Sequence, residues 1–195
     1  MWKNGNITAS LPFDGKGYIE NQEEWGGIPF GWHPGSDLAK TGCGVFAAWN
    51  ALVAAHRTTE VNGRAVFAEL VSGFERFGAV FGGRLGVSVA ALFFYICRHF
   101  RHARICVRHN RYLQNAFGVR SDVVITTIVN NRRKLMNGLH TVCITKDDAG
   151  VVVHNAYRRN REGKWCATRA YSTLSEALAD ITPDPFFVVM IGADF

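Results

Sequence analysis

The chain has 195 residues, of which 48% are hydrophobic and 19% are charged, and its formal net charge is +6. These values are typical of one folded domain with a substantial core, and they exclude an intrinsically disordered chain. The five cysteines are scattered and form no CxxC pair, which indicates reduced thiols rather than a disulfide framework. The N-terminus lacks a signal-peptide pattern, and no apolar run is long enough to cross a bilayer. A cytoplasmic location is therefore the default expectation, with leaderless secretion left open.

Most of the predicted helices precede the predicted strands. Residues 1–40 are rich in glycine, proline, asparagine and tryptophan, which predicts irregular but ordered backbone. The elements that follow are predicted from apolar periodicity. They are helices over 43–57, 63–78 and 87–100, strands over 104–109, 122–129, 139–146 and 150–157, a helix over 172–181, and a strand over 186–192. Helices followed by an antiparallel sheet predict an α+β fold.

The segment 41-TGCGVFAAWNAL-52 places one cysteine between two glycines at the predicted start of a helix. Thr41 can cap that helix, so Cys43 falls in its first turn, where unpaired N–H groups favour an anion such as a thiolate. Gly42 and Gly44 carry no side chain that could bar a substrate. A small buried cysteine in a tight turn is the alternative interpretation. A nucleophilic role also requires a base elsewhere in the chain.

The segment 138-GLHTVCITKDDAGVVVHNAY-157 supplies a candidate base and a residue to orient it. It predicts a hairpin with its turn at 147–150, and this turn brings His140 and Asn155 nearly opposite each other. A nucleophilic thiol needs an imidazole to take its proton, and the imidazole needs an acceptor that fixes its tautomer. Asparagine can be that acceptor through its side-chain oxygen. The order of Cys43, His140 and Asn155 therefore indicates thiol chemistry.

On these motifs the chain resembles a papain-like cysteine peptidase, and it is most similar to the bacteriocin-processing, double-glycine leader peptidase branch. The resemblance rests on 42-GCGVFAAWNAL-52, 82-GGRLGVSVAALFFYI-96, 140-HTVCI-144 and Asn155 after the next strand. It covers roughly residues 37–192. The Cys motif and the His-to-Asn hairpin are its specific parts.

The resemblance implies a single papain-like domain over residues 1–195. In that fold an irregular N-terminal segment (1–40) precedes a helical half (41–118), which packs on the antiparallel sheet of the C-terminal half (119–195). The active site is expected between the two halves.

The resemblance also implies the roles of the site residues. Cys43 would be the nucleophile, His140 the base and then the acid, and Asn155 the residue that orients His140. Papain-like enzymes place an oxyanion-binding glutamine six positions before the cysteine, where this chain has Asp37. Ser36 and His33 are the other side chains expected near the oxyanion.

The function implied is thiol-dependent hydrolysis of a peptide or isopeptide bond in a peptide or protein substrate. Such chemistry needs no metal and no cofactor. Two alternatives remain open. One is acyl transfer of the transglutaminase type, and the other is a catalytically inactive, peptidase-like domain that binds peptides.

Basic residues cluster at 98–111, 132–134 and 158–164. No recognised nucleic-acid motif accompanies them, so a solvated surface is favoured over a nucleic-acid site. Cysteine and histidine also occur together in 97–109, but among several arginines and without a standard zinc-finger spacing. A bound metal is therefore not expected.

Overall fold

The structure is a computed structural model. It describes residues 11–57, 62–107, 120–129, 139–148, 150–156, 158–159, 165–166, 169–181 and 188–195. The described helices are α1 (Leu38–Thr41), α2 (Cys43–Ala54), α3 (Gly63–Phe77), α4 (Val89–His99) and α5 (Leu174–Ile181), with 3₁₀ turns at Gln22–Trp25 and Val80–Gly83. None of these helices is long and apolar enough to span a membrane.

The described strands form one large sheet and one small one. They are β1 (Arg101–Val107), β2 (Val123–Val129), β3 (Leu139–Asp147), β4 (Gly150–His154), β5 (Arg158–Arg159), β6 (Trp165–Cys166), β7 (Arg169–Tyr171) and β8 (Val188–Asp194). The large sheet has the order β1-β8-β2-β3-β4-β7, and all its pairings are antiparallel. The α+β class predicted from the sequence is confirmed.

Helices cover both faces of the large sheet. On one face, α2, α3 and α4 enclose the larger core, to which β3 contributes Cys143 and β2 contributes Ile125. On the other face, α5 packs over Val142 and Ile144 of β3. This division follows from strand alternation, because successive side chains of β3 point to opposite faces of the sheet.

The N-terminal segment is part of the larger core. Trp25 is buried, and its ring lies 5.1 Å from Phe46 and 4.8 Å from Phe67 between ring centroids. Trp49 of α2 is fully buried, and its indole Nε1–H donates to the carbonyl of Gly17 at 3.0 Å. Aromatic burial on this scale contributes several kcal/mol, so the segment is held firmly against α2.

The structure differs from the predicted element boundaries in two places that bear on the site. The strand expected over 104–109 begins at Arg101, directly after α4, and pairs with β8, so the predicted helical half contributes one strand to the sheet. The strand expected over 150–157 ends at His154, because Asn155 has a left-handed backbone with φ +57°. A left-handed residue turns the chain out of the ladder.

Candidate active site

The glycines around Cys43 are required by packing. Cys43 is the first residue of α2, and Gly42 separates that helix from α1. A Cβ atom on Gly42 would lie 2.5 Å from the carbonyl oxygen of Leu38. One on Gly44 would lie 2.7 Å from Cβ of Val87. Gly42 therefore lets α1 turn into α2, and Gly44 lets α2 approach the segment before α4. The sequence predicted only that the two glycines would not block a substrate.

Cys43 lines a cavity of about 650 Å³ at the start of α2. One wall comes from residues 33–36 and 40–41, and a second comes from residues 80 and 84–89. The third wall comes from the sheet, where Thr127 of β2 and Thr141 of β3 face the cavity and hydrogen-bond each other at 3.0 Å. The cavity is large enough for several atoms of a peptide segment.

The Cys43 sulfur has several hydrogen-bond donors around it. They are the backbone N–H groups of Cys43, Gly44 and Thr141, together with the hydroxyl of Thr141. These donors lower the pKa of the thiol, but burial has the larger effect and raises the pKa above its ordinary value. The thiol is thus protonated at neutral pH unless a base removes its proton. Once formed, the thiolate has a ready set of donors.

His140 is buried and has a defined tautomer. Its Nε2 lies 2.8 Å from the backbone carbonyl oxygen of Asn155. A carbonyl oxygen only accepts, so Nε2 carries the hydrogen and Nδ1 of the neutral ring carries the lone pair. Burial lowers the pKa of His140, and the Asn155 carbonyl opposes that shift in part. The imidazole is therefore neutral at pH 7, the state that a general base requires.

Asn155 connects the end of β4 to the N-terminal segment. Its side-chain Oδ1 accepts from the backbone N–H of Gln22 at 3.3 Å, and its Nδ2 donates to Gln22 Oε1 at 3.0 Å. Gln22 Nε2 in turn donates to the carbonyl of Ala39 in α1 at 2.6 Å. Asn155 thus contacts His140 through its backbone carbonyl and not through the predicted side-chain oxygen, because the side chain is bound to Gln22.

A half-buried carboxylate, that of Glu20, fixes the same turn from the other side. Glu20 Oε2 accepts from the backbone N–H of Asn155 at 2.8 Å, and Oε1 lies 2.6 Å from His154 Nδ1. The other nitrogen of His154 contacts the hydroxyl of Thr145 at 2.8 Å, and Tyr18 stacks on the ring at 3.9 Å. Every polar atom of the His154 ring is therefore engaged, which indicates a structural role for this histidine.

The relation of Cys43 to His140 is indirect and passes through Thr141 of β3. The sulfur contacts Thr141, the residue that follows His140. Alternation assigns His140 the face of Val142 and Ile144, opposite that of Thr141. His140 is accordingly not among the described residues that line the cavity, and a contact between the sulfur and the imidazole would have to pass around the start of β3. That the imidazole faces the sulfur stays a prediction.

The three residues expected near the oxyanion have different positions. His33 and Ser36 line the cavity beside Cys43, and Ser36 Oγ lies 3.5 Å from His33 Nδ1. Asp37 is instead the N-cap of α1: its Oδ1 accepts from the backbone N–H of Lys40 at 2.9 Å. Its Oδ2 lies 3.1 Å from Lys40 Nζ. The Asp37 carboxylate is thus directed at α1 and at a cation, and it is not among the cavity-lining residues.

Asp37→Ala is expected to lower the free energy of unfolding by about 1 kcal/mol through loss of the helix cap. Asp37→Asn keeps a capping oxygen, and we expect it to leave both stability and peptide turnover nearly unchanged. Urea unfolding and cleavage of labelled casein measure the two quantities. A large gain in turnover for Asp37→Asn would instead mean that the carboxylate acts on the oxyanion.

Sequence reasoning missed Thr141, Gln22 and Glu20. Strand alternation placed Thr141 on the face opposite His140, the residue predicted to face the sulfur, so no local signal pointed to Thr141 as the neighbour of the sulfur. Gln22 and Glu20 carry no local signal either, since they contact residues more than 130 positions away.

The basic segments lie partly outside the described residues, namely at 108–111, 132–134 and 160–164. Within the described part, Arg104 forms an ion pair with Asp194 at 2.8 Å and so ties β1 to β8. Among the residues that the structure describes, no group of three or more His, Cys, Asp or Glu side chains could hold a metal ion.

No family model, no curated protein and no solved structure matches the chain. The arrangement of residues around Cys43 is therefore the basis for a functional proposal.

Proposed function

We propose that the chain is a thiol-dependent hydrolase of peptide or isopeptide bonds with a papain-like fold. The observation that carries this proposal is the position of Cys43. It opens a buried helix at the wall of a cavity, against the strand that carries a buried, neutral His140. The contact between His140 and Asn155 supports a base with a defined tautomer. A helical layer packed on an antiparallel sheet, with the site at their junction, supports the papain-like architecture.

In this reaction the Cys43 thiol passes its proton to His140, and the sulfur attacks the substrate carbonyl carbon. The C–N bond breaks as His140 returns the proton to the leaving amine, and a thioester remains on Cys43. Water then loses a proton to His140 and attacks the thioester carbonyl, the C–S bond breaks, and His140 returns that proton to the Cys43 sulfur. The product leaves as a carboxylic acid that ionises to the carboxylate. Attack by an amine in place of water gives acyl transfer, the near alternative.

The oxyanion requires hydrogen-bond donors at the same cavity. Ser36 and His33 line that cavity, and the start of α2 presents backbone N–H groups there. These groups are available for the role that a glutamine has in papain-like enzymes. Gln22 is the glutamine of this region, but it is buried and bound to Ala39 and Asn155. We assign it the positioning of Asn155.

The test is covalent labelling with an epoxysuccinyl peptide, an electrophile that requires an activated cysteine for rapid reaction, combined with turnover of labelled casein. We expect one adduct, located on Cys43 by peptide mapping, and loss of both labelling and turnover in Cys43→Ala. Cys97→Ser is the matched control, because Cys97 is exposed and lies on α4, and this variant should keep both activities.

Labelling of Cys97 in place of Cys43, or turnover that survives Cys43→Ala, would refute the hydrolase proposal. A chain that binds peptides with neither labelling nor turnover would be the inactive, peptide-binding alternative.

A further inference from the structure

The described lining of the cavity beside Cys43 carries positive charge without negative charge to balance it. It includes the cationic side chains Lys40 and Arg84, and His33 as well. None of the described lining residues is an aspartate or a glutamate. A concave site with cations and without carboxylates attracts anions and raises their local concentration.

Arg84 is the main source of this charge. Lys40 is already paired with Asp37, whereas no described carboxylate forms an ion pair with Arg84. The guanidinium is exposed, and the backbone beneath it is held in place. The backbone N–H of Val80 donates to the Gly86 carbonyl at 2.9 Å, and that of Leu85 donates to the Val80 carbonyl at 3.2 Å. Arg84 is thus an exposed cation carried by a tight, hydrogen-bonded loop at the cavity wall.

The rest of the cavity suits a peptide. Its apolar lining includes Leu85 and Val87, in the segment before α4, and Leu139 of β3. Hydroxyl groups line the opposite walls, among them Thr41 and Thr141. Apolar surface with a few polar groups and one strong charge is typical of a site that fixes the orientation of its ligand. Guanidinium groups bind carboxylates through two parallel hydrogen bonds.

We propose that this cavity binds a carboxylate of the peptide substrate beside the scissile bond, with Arg84 as its partner. The peptide class is therefore one with an acidic group next to an apolar residue. The carboxylate comes either from an aspartate or glutamate side chain or from a peptide C-terminus. That the bound peptide is a substrate rests on the proposed function, but binding of an anion at this site can be measured without turnover.

The first measurement compares alkylation of Cys43 by iodoacetate and by iodoacetamide, followed by peptide mapping at pH 8.5 and low ionic strength. Both reagents lose iodide to the same thiolate, so the ratio of their rates reports the electrostatic potential at the sulfur. Relative to the ratio for N-acetylcysteine amide, the ratio at Cys43 is expected to be about threefold higher or more, and 0.5 M NaCl should remove most of the difference.

Arg84→Gln should abolish that excess. Arg76→Gln is the matched control, because it removes the same charge from an exposed arginine of α3 that does not line the cavity, and it should keep the excess. A Cys43 ratio equal to that of the small thiol, or equal ratios in the two arginine variants, would overturn the anion site.

The second measurement does not depend on thiol reactivity and separates the two carboxylate sources. Saturation-transfer NMR on Cys43→Ser compares acetyl-Leu-Glu-Gly-amide, acetyl-Leu-Gln-Gly with a free C-terminus, and the neutral acetyl-Leu-Gln-Gly-amide. We expect at least one carboxylate peptide to bind more strongly than the neutral one, with the difference lost in Arg84→Gln. Binding of the first peptide assigns an acidic side chain, and binding of the second assigns a C-terminus.

Equal signals for all three peptides would overturn the proposal. If carboxylate binding stands while labelled casein is not cleaved, the hydrolase proposal fails alone, and the cavity is the anion-selective site of a peptide-binding domain.

Discussion

His140→Ala is expected to lower kcat/KM for peptide hydrolysis about a thousandfold, because the Cys43 thiol, whose pKa desolvation raises, then has no base to remove its proton. His140→Gln separates this role from a structural one. A glutamine amide can still donate to the Asn155 carbonyl, so stability should be largely retained while turnover is lost. Casein turnover and urea unfolding of the same samples measure the two effects. His56→Asn, in the exposed turn after α2, is the control and should change neither.

Recovery of turnover in His140→Gln would show that His140 is needed for structure and not as a base.

The pH dependence follows from the burial of both groups. Burial lowers the pKa of His140, so the imidazole becomes protonated, and stops acting as a base, only at a pH below the ordinary histidine pKa of about 6.5. Burial raises the pKa of Cys43, so the free thiolate forms only in alkaline solution. We therefore expect kcat/KM to fall on the acid side below about pH 6.5 and to vary little from there to about pH 8.5. An acid limb centred well above pH 7 would contradict a buried, neutral base.

Glu20→Ala is expected to lower the free energy of unfolding by about 3 kcal/mol. The carboxylate accepts from a ring nitrogen of His154 and from the backbone N–H of Asn155, and both residues are buried. Each buried donor left without a partner costs about 1–3 kcal/mol. Urea unfolding measures the loss, and Glu24→Ala is the matched control, since Glu24 is an exposed carboxylate whose described contact is with Asn21.

Glu20→Ala should also reduce turnover under conditions in which the variant is fully folded. The reason is that Glu20 holds Asn155, whose carbonyl fixes the His140 tautomer. Full activity in folded Glu20→Ala would show that Gln22 alone positions Asn155. A stability loss no larger than that of Glu24→Ala would mean that water satisfies the two donors.

Local periodicity and turn chemistry were sufficient to predict much of the fold. The helix that starts at Cys43 and the hairpin of β3 and β4 follow from apolar spacing over 10 to 20 residues and from a short polar turn. Asp37 as a helix cap is equally local, since its partner is the N–H three residues later. The capping pattern is present in the sequence, whereas the position of Asp37 six residues before Cys43 predicted a place near the oxyanion.

The tertiary structure alone decided how the site is held together. Contacts of Glu20 and Gln22 with Asn155 join residues more than 130 positions apart, and no local pattern specifies which distant chain segment meets the end of a strand. The left-handed backbone of Asn155 is held by those contacts, whereas propensity within the hairpin predicted a longer strand. The sequence by itself determined the longer helices and strands and the order of the candidate site residues, but not α1 or β5, β6 and β7. Packing determined which atoms of those residues meet, because side-chain contacts depend on the relative positions of elements that are far apart in the chain.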